Sequence, residues 1–163
     1  MIELASLRDL QEILELINRS NREAFQGIIP REHFREPILT LDGLLRDFSR
    51  MPFYVYRREG RVAGVAALRQ EDTASGTIRW VYILPEQQRK GIGTALVTFV
   101  EEEARKVGLH RLRLRTVEKA HWAVSFYHKL GYRLAKRLEV PWGYDVILEK
   151  DLWESGQPGP TQG

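Results

Sequence analysis

The segment that most constrains the fold spans residues 77–117: a strand, a polar loop holding Gly91 and Gly93, a strongly patterned helix, and a second strand. A strand joined to another through a helix must cross over one face of a sheet, which makes the two strands parallel. The helix is predicted from about Gly91 to Val107, with Leu96, Val97, Val100, Ala104 and Val107 on its buried face. Gly108 ends it as a left-handed cap. Glu101–Arg105 and Glu102–Lys106 are spaced four residues apart and read as solvent-side ion pairs.

Upstream, residues 1–5 alternate like a short strand, and Ser6 with Asp9 resembles a capping box. Leu10, Ile13, Leu14 and Ile17 then share one helical face, whereas residues 21–37 have no clean period and read as a long, partly ordered connection. Thr40 caps a second short helix with Leu41, Leu44, Leu45 and Phe48 on its buried stripe. Residues 53–69 form a hairpin around Glu59-Gly60, and a turn over residues 72–76 precedes the strand at 77–84. Downstream come a strand at 110–117, a helix at 120–130 closed by Gly131, and strands at 132–140 and 144–148. The expected fold is one α/β domain over residues 1–152 with a flexible tail at 153–163. Its mixed sheet is mostly antiparallel, with about four helices.

Composition removes several functions. The chain has no cysteine, which excludes disulfides, thiolate catalysis and Cys-based zinc sites, and no metal is expected. No apolar run approaches the roughly 20 residues needed to cross a bilayer, and the N-terminus lacks a signal-peptide layout. No membrane partner is expected, and nothing in the sequence points away from the cytoplasm. The net charge of +3 is spread along the chain. Arg111, Arg113 and Arg115 alternate with Leu112 and Leu114 as one solvated strand face, so no nucleic-acid partner is expected.

The loop carries the chemistry. Gly91 and Gly93 let a backbone approach a ligand, and the free N–H groups of the first helical turn favour a phosphate or pyrophosphate. Arg89 and Lys90 add charge. A Walker loop is absent, and the dinucleotide fingerprint fails because position 96 is Leu96. A tight turn without a ligand remains the alternative.

Gln88-x-x-Gly91-x-Gly93, after Ile83-Leu84-Pro85-Glu86, resembles the coenzyme A pyrophosphate motif of the GNAT superfamily of N-acetyltransferases. Residues 123–132, Ala-Val-Ser-Phe-Tyr-His-Lys-Leu-Gly-Tyr, look like the second motif of that family, and residues 146–152 are similar to its closing strand. The element order agrees over residues 1–152.

The resemblance implies a twisted sheet splayed at a β-bulge, so that the strand ending at Ile83 departs from the strand at 110–117. It implies acetyl-CoA as cosubstrate, with the backbone of Val81, Tyr82 and Ile83 along the pantetheine arm. Gln88, Arg89, Lys90, Gly91, Ile92, Gly93 and Thr94 would hold the pyrophosphate. Tyr127 would be the general acid, with a core aromatic as its plainer reading.

Two positions depart from the family pattern. Ala120 replaces an asparagine frequent in the family, and Thr77 and Arg79 stand where many members carry a base. Glu118 is then the nearest base candidate, with Glu23 and His33 as others. The acceptor, a primary amine of a small molecule or peptide, would lie between residues 21–37 and Pro141-Trp142-Gly143. Phe25, Trp80, Tyr82 and Trp142 are candidates for its aromatic wall. Arg79 suggests an anionic group on the acceptor. A catalytically silent coenzyme A-binding module remains the second reading, and a homodimer is compatible with either.

Overall fold

The computed structural model describes residues 1–153. In chain order they form β1 (Ile2–Leu4), α1 (Leu10–Phe25), α2 (Leu41–Arg50), β2 (Phe53–Arg58), β3 (Arg61–Gln70) and β4 (Ser75–Ile83). These are followed by α3 (Ile92–Lys106), β5 (Arg111–Val117), α4 (His121–Lys129), β6 (Arg133–Val140) and β7 (Gly143–Asp151). The sheet order is β1-β2-β3-β4-β5-β7-β6. Every neighbouring pair is antiparallel except β4–β5, which the α3 crossover makes parallel, as the sequence requires.

Each sheet face has its own core. Ile13, Leu16 and Ile17 of α1 and Leu44 of α2 pack with Phe53, Val55, Val62 and Val65 on one face. Leu96, Val97 and Val100 of α3 pack with Leu112, Leu114, Tyr127 and Tyr132 on the other. Each large aliphatic side chain removed from water stabilises the fold by about 1.5–3 kcal/mol. Helix ends follow the sequence signals. Thr40 Oγ1 accepts from the Gly43 N–H at 3.1 Å, and the Asp9 carboxylate accepts from the Ser6 N–H at 2.9 Å.

The structure corrects several boundaries and faces. Helix α1 continues through residues 21–25, because no glycine or proline intervenes before Gly27. Leu41 and Leu45 are exposed at 44% and 41%, and α2 turns only Leu44 fully inward. Val107, just past the last turn of α3, is 58% exposed. Glu101, expected on the wet side, is 5% exposed. Strand β7 runs on to Asp151, which pairs with Arg111. Trp153, assigned to the tail, packs against the core, and its indole donates to the Leu109 carbonyl at 3.2 Å. The rest of the expected tail lies outside the described residues.

Strand β4 positions the site. Val65 faces Tyr82 and Ala67 faces Arg79, so Ala66 stands opposite both Trp80 and Val81. This extra residue is a β-bulge, and Trp80 takes up the kink at φ 56°. Beyond the bulge the strands part, since β4 pairs with β5 only from Ser75 to Thr77. A wedge-shaped cleft therefore opens between β4 and β5, with α3 beginning at its end.

Candidate active site

The loop from β4 into α3 is a row of main-chain donors. The N–H groups of Arg89, Lys90, Gly91, Ile92, Gly93 and Thr94 donate to no acceptor among the described residues. Ala95 is the first to do so, to the Gly91 carbonyl at 3.0 Å. Arg89 and Gly91 both stand at positive φ, 65° and 81°, which gathers successive N–H groups into a concave nest. No acidic residue occupies the first turn of α3, so its positive end is not neutralised. The two glycines differ in purpose. A Cβ on Gly91 would meet nothing within 4 Å, so the open space beside it is free for a ligand and only its left-handed backbone demands glycine. A Cβ on Gly93 would lie 3.2 Å from Phe126 Cζ, so Gly93 allows α3 and α4 to approach closely. Gln88 falls outside the row, because its N–H turns back to the Pro85 carbonyl at 3.4 Å.

The free edge of β4 supplies a second set of main-chain groups. Leu84 N–H donates to the Ala63 carbonyl at 2.9 Å, and Tyr82 pairs with Val65. Alternation along an antiparallel strand turns the main-chain groups of Val81 and Ile83 to the opposite edge, facing the cleft. Of the three residues expected along a pantetheine arm, Tyr82 therefore spends its backbone on β3. The Ile83 carbonyl already accepts from Ser20 Oγ at 3.2 Å.

Two tyrosines, Tyr82 and Tyr127, are close enough to interact electrostatically. Tyr82 Oη donates to Asn21 Oδ1 at 2.9 Å, and burial pushes its hydroxyl up to about 12. Tyr127, on α4, is 8% exposed, and its hydroxyl has no hydrogen-bond partner among the described residues. Burial, with Tyr82 nearby as a lesser cause, raises its pKa well above the ordinary phenol value. The hydroxyl therefore keeps its proton at neutral pH, which suits it to donate and not to accept. Its ring is also part of the core, so the plainer reading of Tyr127 describes its body and the catalytic one its tip.

Glu118, the base candidate of the sequence, is paired with Arg137. Arg137 donates to both its oxygens, at 2.7 and 2.9 Å, and the pairing holds the carboxyl below its usual range. A carboxylate so engaged is a poor proton acceptor. Glu23 is paired with Arg19 at 3.4 Å. His33 has no ionic partner among the described residues, and its ring stands 6.1 Å from that of Trp142. Phe25 reaches Trp122 of α4 at 6.2 Å. The end of α1 thus meets α4, and the α1–α2 connection meets the β6–β7 loop, each through an aromatic pair. Trp80 points elsewhere, to Asp47 of α2, with the Arg79 guanidinium 5.2 Å from its ring centroid. Ala120 is fully buried at the start of α4, and its side chain offers no polar contact.

Sequence reasoning missed Ser20, Asn21 and Asp47. The first two continue the α1 stripe of Ile13 and Ile17 at helical spacing, so their burial was legible. Asp47 likewise follows Leu44 by three residues on the inward side of α2.

Comparison with known proteins gives a family match over residues 10–132, described as the acetyltransferase (GNAT) family. The chain is 32% identical over 123 residues to the amino-acid acetyltransferase of Pseudomonas putida (strain GB-1), covering 75% of this chain and 26% of that protein. It thus spans about a quarter of that relative's length. It is 29% identical over 159 residues to the S-(2-succino)cysteine N-acetyltransferase of Bacillus subtilis (strain 168), covering 91% of this chain and 94% of that protein. The fold matches yncA from Salmonella typhimurium, solved with its cofactor acetyl-CoA, at a TM-score of 0.78 and 21% identity. That match covers 99% of this chain and 98% of the other. Among the described residues no helix is long and apolar enough to cross a membrane.

Proposed function

The chain belongs to the acetyltransferase (GNAT) family, and on that premise we propose that it transfers the acetyl group of acetyl-CoA directly to the primary amine of a small α-amino acid. One observation carries the reading. The unspent N–H groups of residues 89–94 open onto the cleft that the Trp80 bulge creates, and the unpartnered Tyr127 hydroxyl completes the set.

Each part has a physical role. The helix-start donors of Arg89 to Thr94 bind the pyrophosphate of coenzyme A. The cleft-facing main-chain groups of Val81 and Ile83 align the pantetheine arm and stabilise charge that develops on the thioester oxygen. The amine nitrogen bonds to the carbonyl carbon, and the carbon–sulfur bond breaks. Sulfur leaves with the electron pair and takes a proton from Tyr127. The amine loses its proton to water, and proton exchange with water restores Tyr127. A direct transfer needs no enzyme nucleophile, which agrees with a chain that has no cysteine.

The amino-acid class is supported by the names of the two curated relatives, both acting on amino acids. It is also supported by a cation beside the Trp142 loop. Lys119 Nζ lies 3.9 Å from where a Gly143 Cβ would stand, and Lys119 has no carboxylate partner among the described residues. The test is a panel comparing α-amino acids, their decarboxylated amines and polyamines by thiol release. Faster turnover of the amino acids supports the assignment, and a panel led by polyamines or by the decarboxylated amines overturns it.

A further inference from the structure

Glu101 is buried in the middle of α3, and both its oxygens are engaged. Tyr132 Oη donates to Oε2 at 2.7 Å, and Lys150 Nζ lies 3.1 Å from each oxygen. Arg105, its expected partner, turns instead to Glu102 at 2.6 Å and to the Leu152 carbonyl at 2.8 Å. A buried ion pair is weak evidence for stability, because hydrophobic residues of similar volume replace such pairs without loss. What this one fixes is a geometry.

Tyr132 is fully buried, and its ring meets that of Tyr127 edge-on, with centroids 5.7 Å apart and planes at 75°. The Tyr132 N–H also donates to the Tyr127 carbonyl at 3.0 Å. Between them Gly131 stands at φ 96°, where a Cβ would lie 3.4 Å from Lys150 Cε. The Lys150 stem thus runs along the turn that joins the two tyrosines before reaching Glu101. Since the Tyr127 hydroxyl has no hydrogen-bond partner among the described residues, packing sets the attitude of its ring, and Glu101 holds one of its aromatic neighbours.

We propose that Glu101 is a positioning residue for acetyl transfer, holding Tyr127 through Tyr132 in the attitude from which its hydroxyl reaches the leaving sulfur. Lys150 balances the Glu101 charge. Glu101 touches neither substrate nor reacting atoms. This rests on the role given to Tyr127 above.

The experiment is a double-mutant cycle on the full chain with Glu101→Gln, Tyr127→Phe and both together. It reads kcat and KM for acetyl-CoA, calorimetric coenzyme A affinity and the circular dichroism of each variant. Glu101→Gln is expected to lower kcat about tenfold or more while KM and affinity change less than about twofold. Added to Tyr127→Phe, it is expected to lower kcat no further, because the two act as one unit. An additive loss, an unchanged kcat, or a loss confined to coenzyme A affinity overturns the proposal. Full kcat in Tyr127→Phe alone sinks the role of Tyr127 and the positioning role with it. A large Tyr127→Phe effect with an additive Glu101→Gln effect sinks the positioning role only. Where Glu101→Gln does not fold, Tyr132→Phe, which removes one hydroxyl and leaves the Glu101–Lys150 pair, takes its place in the cycle under the same criteria.

Discussion

The indole N–H of Trp80 donates to the Asp47 carboxylate at 2.8 Å, and Trp80 is the bulge residue held at φ 56°. A left-handed backbone costs a non-glycine residue about 1–2 kcal/mol, and a hydrogen bond to a charged group returns about 1.5–3 kcal/mol. Helix α2 thereby holds open a cleft it does not itself line. Asp47→Ala is expected to destabilise the fold by about 1–2 kcal/mol and to raise KM for acetyl-CoA. Urea unfolding and steady-state kinetics check both, and an unchanged KM would mean the bulge stands without the bond.

The glycines at the start of α3 are expected to separate by phenotype. Gly91→Ala meets no atoms but strains a left-handed backbone by about 1–2 kcal/mol, enough to weaken coenzyme A binding about tenfold. Gly93→Ala pushes on Phe126, next to Tyr127, and is expected to lower thermal stability and kcat. Calorimetry and melting curves distinguish the two; matching phenotypes would contradict the assignment.

Glu118→Gln removes the charge from the pair with Arg137. Its kcat is expected to stay within about threefold of the parent, against a loss of about a hundredfold or more for a true general base. A loss of that larger size would return Glu118 to the reaction.

Tyr82 contributes to alkaline stability, alongside Tyr54, Tyr127 and Tyr132, whose pKa values burial also raises. The folded pKa of Tyr82, about 12, lies above the ordinary 10.0 because burial disfavours the phenolate. The stabilisation linked to a raised pKa is fully present below the unfolded value and is lost as pH rises through the folded one. Stability is therefore expected to fall between pH 10 and about 12, with a shallower slope in Tyr82→Phe. Urea midpoints across that range test it, and parallel slopes would contradict it.

Much of this fold was legible in the sequence because the signals were local. The run through Gly91 and Gly93 into α3 determined the crossover, and the apolar pattern from residue 53 to 68 determined the hairpin. What escaped was tertiary. Glu101 sits at an ordinary surface spacing from Arg105, and its burial is created by Tyr132 and Lys150, which lie 31 and 49 residues away. Glu118 looked free only because Arg137 reaches it from a strand 19 residues further on. Trp80 and Asp47 illustrate the same limit, since a bulge residue is identified by its partner strand.

Product stoichiometry tests direct acetyl transfer from acetyl-CoA to an amine. Pure protein is mixed with acetyl-CoA and the best amine of the panel, and free thiol and N-acetyl product are quantified together, with intact-protein mass recorded. One acetylated amine is expected per thiol released, with thiol release that depends on the amine and no acetylated protein intermediate. Coenzyme A binding with no amine-dependent thiol release, or an acetyl group retained on the chain during turnover, would contradict it.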